Sequence, residues 1–235
     1  MKRLAGRALC FVLLLVPIAA ADRVFVPSAD TPDSPVQRFL AQDDPWPAYR
    51  AERWLEAEAG GRYGWLKAVT SYSEKIGFLY EITAEGGSGL IRAKVLRAVL
   101  DGEREAITQG EARRSSLDMA NYTFCENGID EAGLASVLVT PRRKDRFLVS
   151  GTMFLRPADG DLVRLQGRLA KSPSFWLKNV DIVRRYDRIG GVIVPIALES
   201  QSRMLLGGSA SLKMIYTYLE INGRPVAPKT PSSAS

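Results

Sequence analysis

The chain has 235 residues, of which 46% are apolar and 25% are charged, with a net charge of +6 and no histidine. Without histidine, the sequence excludes Ser-His-Asp and Cys-His catalytic sites and zinc sites that need an imidazole ligand. It also lacks a phosphate-binding loop. We therefore predict a protein that is not an enzyme and has no cofactor, metal site or catalytic residue.

The first residues have the pattern of a secretory signal peptide. Lys2, Arg3 and Arg7 precede an apolar run over residues 8–18, and small residues follow at 19–21. This predicts cleavage near Ala21 and a periplasmic location. After it we expect a flexible arm over 22–34, a single domain over 35–223, and a disordered tail over 224–235, which is rich in Pro and Ser.

Charge is distributed unevenly along the chain. Residues 22–140 hold 13 basic and 19 acidic residues, a net −6, whereas residues 141–213 hold 14 basic and 6 acidic residues, a net +8. A basic surface of this kind suits an anionic headgroup, a phosphate or an acidic partner, although many surface cations are only solvated. No aromatic stacking motif accompanies the basic residues, so we expect no nucleic-acid partner.

Helices are predicted near the start of the domain. Ser34-Pro35 places an N-cap residue before a proline at the first helical position, and the helix should end near Asp43-Asp44-Pro45. A second helix is predicted from about Pro47 to Ala59, ended by Gly60-Gly61. These helices would cover the open face of a sheet or only its edge.

Strands dominate the middle of the chain. Residues 65–72 and 76–83 predict a hairpin, because apolar and aromatic side chains alternate along 76–83. Leu90–Leu100 is predicted as a further strand, with a helix as the alternative, and Asp101-Gly102 as a turn after it. A short helix is expected over Ala112–Ala120.

Strand patterns continue to the end of the domain. Runs over 134–140, 147–155 and 162–170 are strand-like, and Asp159-Gly160 predicts a tight hairpin between the last two. Along the last of them, Leu165 and Leu169 alternate with Arg164, Gln166 and Arg168. The leucines should therefore face a core and the polar residues should face water.

The stretch from 172 to 223 contains further strand-like runs separated by glycines. Residues 192–198 are apolar on both faces, and Pro195 within them predicts an edge or a bulge because proline cannot donate to a ladder. Short turns between successive strands predict an α+β fold with a large antiparallel sheet of about nine to eleven strands. One face of this sheet should be apolar and concave, with helices covering it.

The order of these elements resembles the LolA/LolB-like lipoprotein carriers of the bacterial envelope. Short phrases of uncharacterised exported relatives also occur, at 159–176, Arg185-Tyr186, 189–191, Val194-Pro195, Glu199-Ser200 and 216–223. The resemblance covers roughly residues 45–223. It implies an unclosed β-barrel whose apolar cavity holds acyl chains beneath a helical lid.

The function predicted on this basis is a monomeric, non-enzymatic carrier or binder of lipid-like or acylated molecules, such as the acyl chain of a lipoprotein, with a possible membrane-protein partner. Nine residues are predicted to line the cavity: Trp65, Phe78, Tyr80, Leu165, Leu169, Trp176, Met214, Tyr216 and Tyr218. They would otherwise simply fill a core. Arg184 and Arg185 are predicted to contact a headgroup or a partner.

Two other functions remain open from the sequence. One is a regulatory module that senses envelope damage and binds a membrane protein. The other is an enzyme that uses Glu199 and Asp187 for acid–base work, with Arg185 stabilising charge. Cys125 is the one cysteine that follows the predicted cleavage point, and it is expected to be a buried small hydrophobe rather than a reactive thiol.

Overall fold

A computed structural model describes residues 34–42, 46–205 and 207–227. The predicted signal peptide, nearly all of the N-terminal arm, the predicted helix end at 43–45 and the last part of the tail lie outside these residues.

Eleven β-strands form one antiparallel sheet, as the sequence predicted. The strands are β1 (Tyr49–Ala59), β2 (Arg62–Ser73), β3 (Gly77–Gly87), β4 (Tyr122–Ile129), β5 (Ala135–Pro141), β6 (Val149–Leu155), β7 (Leu162–Leu169), β8 (Leu177–Ile189), β9 (Val192–Met204), β10 (Ser209–Ile221) and β11 (Arg224–Pro225). Their spatial order is β3-β2-β1-β10-β9-β8-β7-β6-β5-β4, and β11 pairs with β10. The sheet does not close on itself among the described residues, so the predicted fold class is confirmed.

Side chains alternate between a buried inner face and a more exposed outer face. The alternation is regular in β10, where every second residue from Ala210 to Tyr218 is buried and the residues between them are mostly exposed. Cross-strand pairing places Leu165 of β7, Leu198 of β9 and Met214 of β10 in one row across this inner face. The hydrophobic core is thus the inner face of a curved sheet.

Two glycines allow β6 and β7 to approach closely. Gly151 and Gly167 are cross-strand partners, and a Cβ atom added to Gly151 would lie 2.1 Å from the carbonyl oxygen of Gln166. No larger residue fits at either position without displacing the partner strand. Glycines of this kind permit a tight local bend of the sheet.

Helix α1 (Pro35–Ala41) begins as predicted. The Ser34 hydroxyl accepts a hydrogen bond from the Gln37 amide at 3.3 Å, and Phe39 is buried in the core. Arg38 donates to the Pro157 carbonyl, and Gln42 donates to the Asp159 carbonyl at 3.0 Å. The helix therefore rests on the predicted β6–β7 turn.

A continuous helix over residues 89–108 covers part of the inner face, and we call it the cover helix. It consists of α2 (Gly89–Ile91), a π-helical segment (Arg92–Leu96) and α3 (Arg97–Thr108). It contacts β1, β2 and β3 and buries an apolar side formed by Ile91, Val95, Leu96, Val99, Leu100 and Ala106. Among the described residues no helix combines the length and the apolar character needed to cross a bilayer.

The cover helix corrects the strand predicted over Leu90–Leu100 and the turn predicted at Asp101-Gly102. The helical alternative was right for this segment, and the helix continues through both turn residues. Closely spaced apolar residues fit either period over a short run, so the choice depends on tertiary contacts. Here the apolar side packs against a sheet that is already complete without this segment.

The helix predicted over residues 47–59 is wrong, because β1 occupies this segment. Its buried positions alternate as Tyr49, Ala51, Arg53, Leu55 and Ala57. An arginine and two alanines among the inward residues weakened the strand pattern in the sequence. Pairing with β2 and β10 on its two sides overrides the helical propensity of the Glu- and Ala-rich run.

Smaller differences concern the loops and the C-terminus. The segment after Asn121, for which the sequence predicted no strand, forms β4. The helix predicted over 112–120 is only a 3₁₀ turn at Glu111–Ser115. Order extends past residue 223, because β11 pairs with β10. The bulge predicted at Pro195 is confirmed: Arg185 pairs with Ala197 while Tyr186 pairs with Pro195.

Candidate functional site

Most of the predicted cavity-lining residues lie on the inner face. Six of them are buried there: Phe78, Leu165, Leu169, Met214, Tyr216 and Tyr218. They come from β3, β7 and β10, which are far apart in the sequence and are brought together by the curvature of the sheet. Their use as a ligand surface remains a prediction.

Tyr80 is half-buried at the border of the cover helix. Its hydroxyl donates to Asp101 at 2.7 Å, and the Arg104 guanidinium lies 5.3 Å from its ring centroid. Burial and the hydrogen bond to Asp101 raise the pKa of Tyr80 to about 12. The residue thus ties β3 to the cover helix.

Trp65 and Trp176 lie elsewhere than predicted. Trp65 stacks on Trp54 at 4.7 Å on the outer face, because the inward positions of β2 are Leu66 and Ala68. Trp176 precedes β8 and is 48% exposed beside the exposed Phe175. Neither tryptophan shares the inner face with the other predicted residues.

A buried ion pair connects the cover helix to the sheet. Arg53 of β1 donates to Glu103 of the cover helix at 2.6 and 3.0 Å and to the Tyr49 hydroxyl at 2.7 Å. Its guanidinium also lies 5.0 Å from the Phe78 ring centroid and 4.7 Å from that of Tyr216. Both charged side chains are fully buried, so the pair is neutralised inside the protein.

This cluster was missed in the sequence. Burial alone would lower the pKa of Arg53, but the Glu103 carboxylate, together with Tyr49 and Tyr216, outweighs burial and raises that pKa above its ordinary value. The one signal for it was an arginine at an inward position of a strand pattern, in register with Tyr49 and Leu55. Reading that segment as a helix concealed the register.

Buried tyrosines surround the interior. Burial raises the pKa of Tyr122 and Tyr216 to about 12 and raises those of Tyr49, Tyr186 and Tyr218 as well. The Tyr218 hydroxyl donates to the Pro195 carbonyl at 3.0 Å, where the bulge in β9 leaves that carbonyl available. The Tyr122 hydroxyl accepts from the Val149 amide at 3.0 Å. Around its buried charged groups the interior therefore presents apolar side chains and neutral phenolic groups.

Arg184 lies inside the protein and not on the basic surface that the charge of residues 141–213 predicted, and its contact with a headgroup or a partner remains a prediction. It is 5% exposed, and its Nη1 atom has no hydrogen-bond partner among the described residues. The alternation of β8 sends residue 184 inward and residue 185 outward. A surface partner cannot reach it, whereas a molecule in the interior could.

Arg185 is exposed and pairs with Glu199 of β9 at 2.6 Å. The carboxylate proposed for acid–base work is thus engaged by a neighbouring arginine. Asp187, the other candidate acid, lies on β8, two residues after Arg185. Glu199 and Arg185 face outward, with both side chains nearly half exposed, and such a pair is ordinary for the surface of a sheet.

The basic residues around 142–144 mainly organise the chain. Arg142 donates to the carbonyls of Met119 and Tyr122, and Arg143 donates to Asn121 and Asp145. Hydrogen bonds from Arg114 and Arg143, together with the Phe147 amide, hold the pKa of Asp145 below its ordinary value despite burial. Part of the predicted basic surface is therefore structural.

The outer face carries a shallow depression of about 560 Å³. It crosses β6 to β9 and is lined by outward side chains including Thr152, Gln166, Val183 and Glu199. None of the predicted cavity-lining residues borders it. The depression and the apolar inner face are therefore separate features.

Cys125 is exposed on β4, which corrects the prediction that it is buried. Edge position explains this, because β4 pairs only with β5 and most of its side chains face solvent. In the residues that the structure describes, no three side chains of the His, Cys, Asp and Glu types come together as a metal site would require.

Comparison with known proteins gives little further information. No family model matches the chain, and no curated protein matches it. The chain is similar to the crystal structure of a DUF1329 family protein from Desulfovibrio piger, with 8% identity, 76% of this chain and 85% of that chain covered, and a TM-score of 0.35. A similarity of this size identifies neither a family nor a function.

Proposed function

We propose that this protein is a non-enzymatic, periplasmic carrier or binder of lipid-like or acylated molecules, held against the inner face of the sheet. The observation that carries the proposal is the way this face is covered. An apolar concave surface built from β3, β7 and β10 is roofed on one side by a helix rather than by a second sheet. Packed helices can slide or shift against the elements they cover, and such a shift would open this face to a ligand.

The attachment of that cover supports the proposal. Its polar contacts with the sheet include the buried Arg53–Glu103 pair and the half-buried bonds of Arg92 and Arg97 to Glu85. The Tyr80 hydroxyl of β3 also donates to Asp101 of the cover helix. Beside these polar contacts there is apolar packing, which an acyl chain could replace with little change in buried apolar area. A ligand could thus replace part of this apolar packing while the Arg53–Glu103 pair stays formed.

A matched pair of variants on β7 tests the proposal. Leu165→Glu places a carboxylate on the inner face directly across from Arg184, where it can pair with that guanidinium and puts a charged group in place of the apolar surface that an acyl chain would contact. Gln166→Glu introduces the same charge one residue away, on the outer face, with almost no change in size. Gln166 is a better control than Arg164, which covers the Phe154 ring at 4.0 Å.

The measurement is uptake of a fluorescent lipid by each variant after circular dichroism has verified its folding. We expect Leu165→Glu to abolish uptake and Gln166→Glu to retain it. Equal loss in both variants, or loss in neither, would mean that the inner face is an ordinary filled core. Recovery of a stoichiometric membrane protein without any bound lipid would instead favour the sensing module.

A further inference from the structure

Arg184 has surroundings that indicate which chemical group a ligand of the inner face would carry. Its cross-strand partners are Leu165 of β7 and Leu198 of β9, and Met153 and Met214 follow on the next strands outward. A guanidinium therefore projects from the middle of an apolar row. Arginine does not lose its proton under physiological conditions, so this position carries a full positive charge.

No acid of the chain neutralises this charge among the described residues. The buried carboxylates are Glu103, Asp145 and Asp161. Glu103 pairs with Arg53. Asp145 and Asp161 each pair with arginines other than Arg184. Arg184 forms no ion pair with any of them.

Phenolic hydroxyl groups converge on the same place. Tyr122, Tyr186 and Tyr216 all lie close enough to Arg184 to interact with its charge. They come from β4, β8 and β10, and five strands separate β4 from β10 in the sheet. The curvature of the sheet therefore closes around this guanidinium.

Two of these hydroxyl groups have hydrogens to donate. Tyr186 is 4% exposed, and its hydroxyl lies beside the Arg184 guanidinium, which can only donate to it, so the phenolic hydrogen has no acceptor among the described residues. The Tyr122 hydroxyl accepts from the Val149 amide, which leaves its own hydrogen unengaged. One cation and two phenolic donors form a set that an anionic oxygen group would complete.

We propose that Arg184 and Tyr186, assisted by Tyr122, bind the carboxylate or phosphate of an anionic amphiphile inside the sheet. The acyl chain of that ligand would lie along the apolar residues beside Arg184, so the inference rests on the proposed carrier function. A neutral lipid would leave the guanidinium unpaired and would bind more weakly.

The site is tested with three probes that share the same hydrocarbon chain and differ in their polar group. The probes are dansylaminoundecanoic acid, its methyl ester, and the phosphate monoester of the corresponding dansylated alcohol. We expect wild-type protein to bind at least one of the two anionic probes about tenfold or more tightly than the ester. The probe that binds tighter distinguishes a carboxylate from a phosphate ligand.

Variants assign the preference to named groups. Arg184→Met should lower the affinity for the anionic probe to that of the ester and leave the ester unchanged. Tyr186→Phe should produce a smaller loss, about threefold, because one neutral donor is removed. Should Arg184→Met fail to fold by circular dichroism, Arg184→Lys keeps the charge without the planar fork and should reduce the preference partially.

Two negative results are distinguishable. If wild-type protein binds all three probes equally, or if Arg184→Met and Arg184→Lys both keep the anionic preference, the anion site is wrong while the carrier function stands. If wild-type protein binds none of the probes, the carrier function itself fails, and the anion site fails with it.

Discussion

Arg53 and Arg184 are both buried on the inner face of the same sheet, yet their surroundings differ. Arg53 has a carboxylate, a phenolic hydroxyl and two aromatic rings around it, so its charge is balanced by the chain itself. Arg184 has phenols but no acid, and one of its nitrogen atoms has no partner. Removal of Arg53 should therefore lower the stability of the protein, whereas removal of Arg184 should raise it.

This difference distinguishes a buried charge with a structural role from one that is available to a ligand. A buried pair is destabilised strongly when one partner is lost, because the remaining charge is left uncompensated. A buried charge without a partner is already uncompensated, so its removal relieves the folded state. Four measurements test this contrast.

The largest effect is expected for Glu103→Gln. It leaves the fully buried Arg53 without its carboxylate, and such losses cost about 3–5 kcal/mol. Urea denaturation followed by circular dichroism measures the free energy of unfolding. Glu105→Gln, on the exposed side of the same helix, should change it by no more than about 0.5 kcal/mol. Similar values for both variants would refute a structural role for the pair.

Alkaline pH should destabilise the protein through its buried tyrosines. Burial raises the folded-state pKa of Tyr122 and Tyr216 from 10.0 to about 12, so the neutral form is favoured in the folded protein. This stability is fully present below about pH 10 and is lost as pH rises through about 12. Each group contributes on the order of 2–3 kcal/mol, taking about 1.4 kcal/mol per pKa unit.

Unfolding free energies measured between pH 8 and pH 12 by urea titration test this expectation. Tyr216→Phe should make the alkaline decline shallower, whereas Tyr63→Phe, at an exposed position of β2, should leave it nearly unchanged. A flat profile up to pH 12 in the wild-type protein would show that the interior phenols are open to water.

Arg184→Met should keep or increase the stability of the ligand-free protein. An apolar side chain of similar length replaces an unpaired guanidinium among leucines and methionines, and we expect a gain of up to about 2 kcal/mol. Arg53→Met in the same assay should lose several kcal/mol, because Glu103 would then be the unpaired charge. A comparable loss in both variants would mean that Arg184 is as much a structural residue as Arg53.

The smallest effect is expected at Cys125. Its side chain is exposed on an edge strand, so Cys125→Ser should change the free energy of unfolding by less than about 0.5 kcal/mol. Urea denaturation under reducing conditions gives the value and sets the baseline for the other three comparisons. A loss above 1 kcal/mol would contradict the exposed position of this thiol.

Regular alternation made parts of the fold predictable. In β7 the leucines at 165 and 169 are buried and the Asp159-Gly160 turn forms the hairpin, as the sequence indicated. Prediction failed where the inward residues were not apolar. Arg53 on β1 and Arg184 on β8 occupy core positions that a hydrophobic pattern assigns to aliphatic residues, so one segment was assigned to a helix and the other residue to the surface.

The candidate site was predictable only in its apolar part. Local alternation identifies residues that share a face, as with Tyr216 and Tyr218, but it does not give the partner of a buried charge. Glu103 meets Arg53 across 50 positions of sequence, and Tyr122 approaches Arg184 across 62. Such contacts arise from the curvature of the sheet and from the path of the cover helix, which no local pattern encodes.

The open sheet has one further consequence, for contacts between copies of the chain. In the part that the structure describes, the sheet ends at β3 and at β4, and an exposed edge can accept a strand from another molecule. Both edge strands carry an exposed acid, Glu126 on β4 and Glu81 on β3, and an irregularity in their pairing, and these features discourage such contacts. Each edge also exposes a large apolar side chain, Leu79 on β3 and Ile129 on β4, so self-association would begin where these side chains meet another copy of the chain.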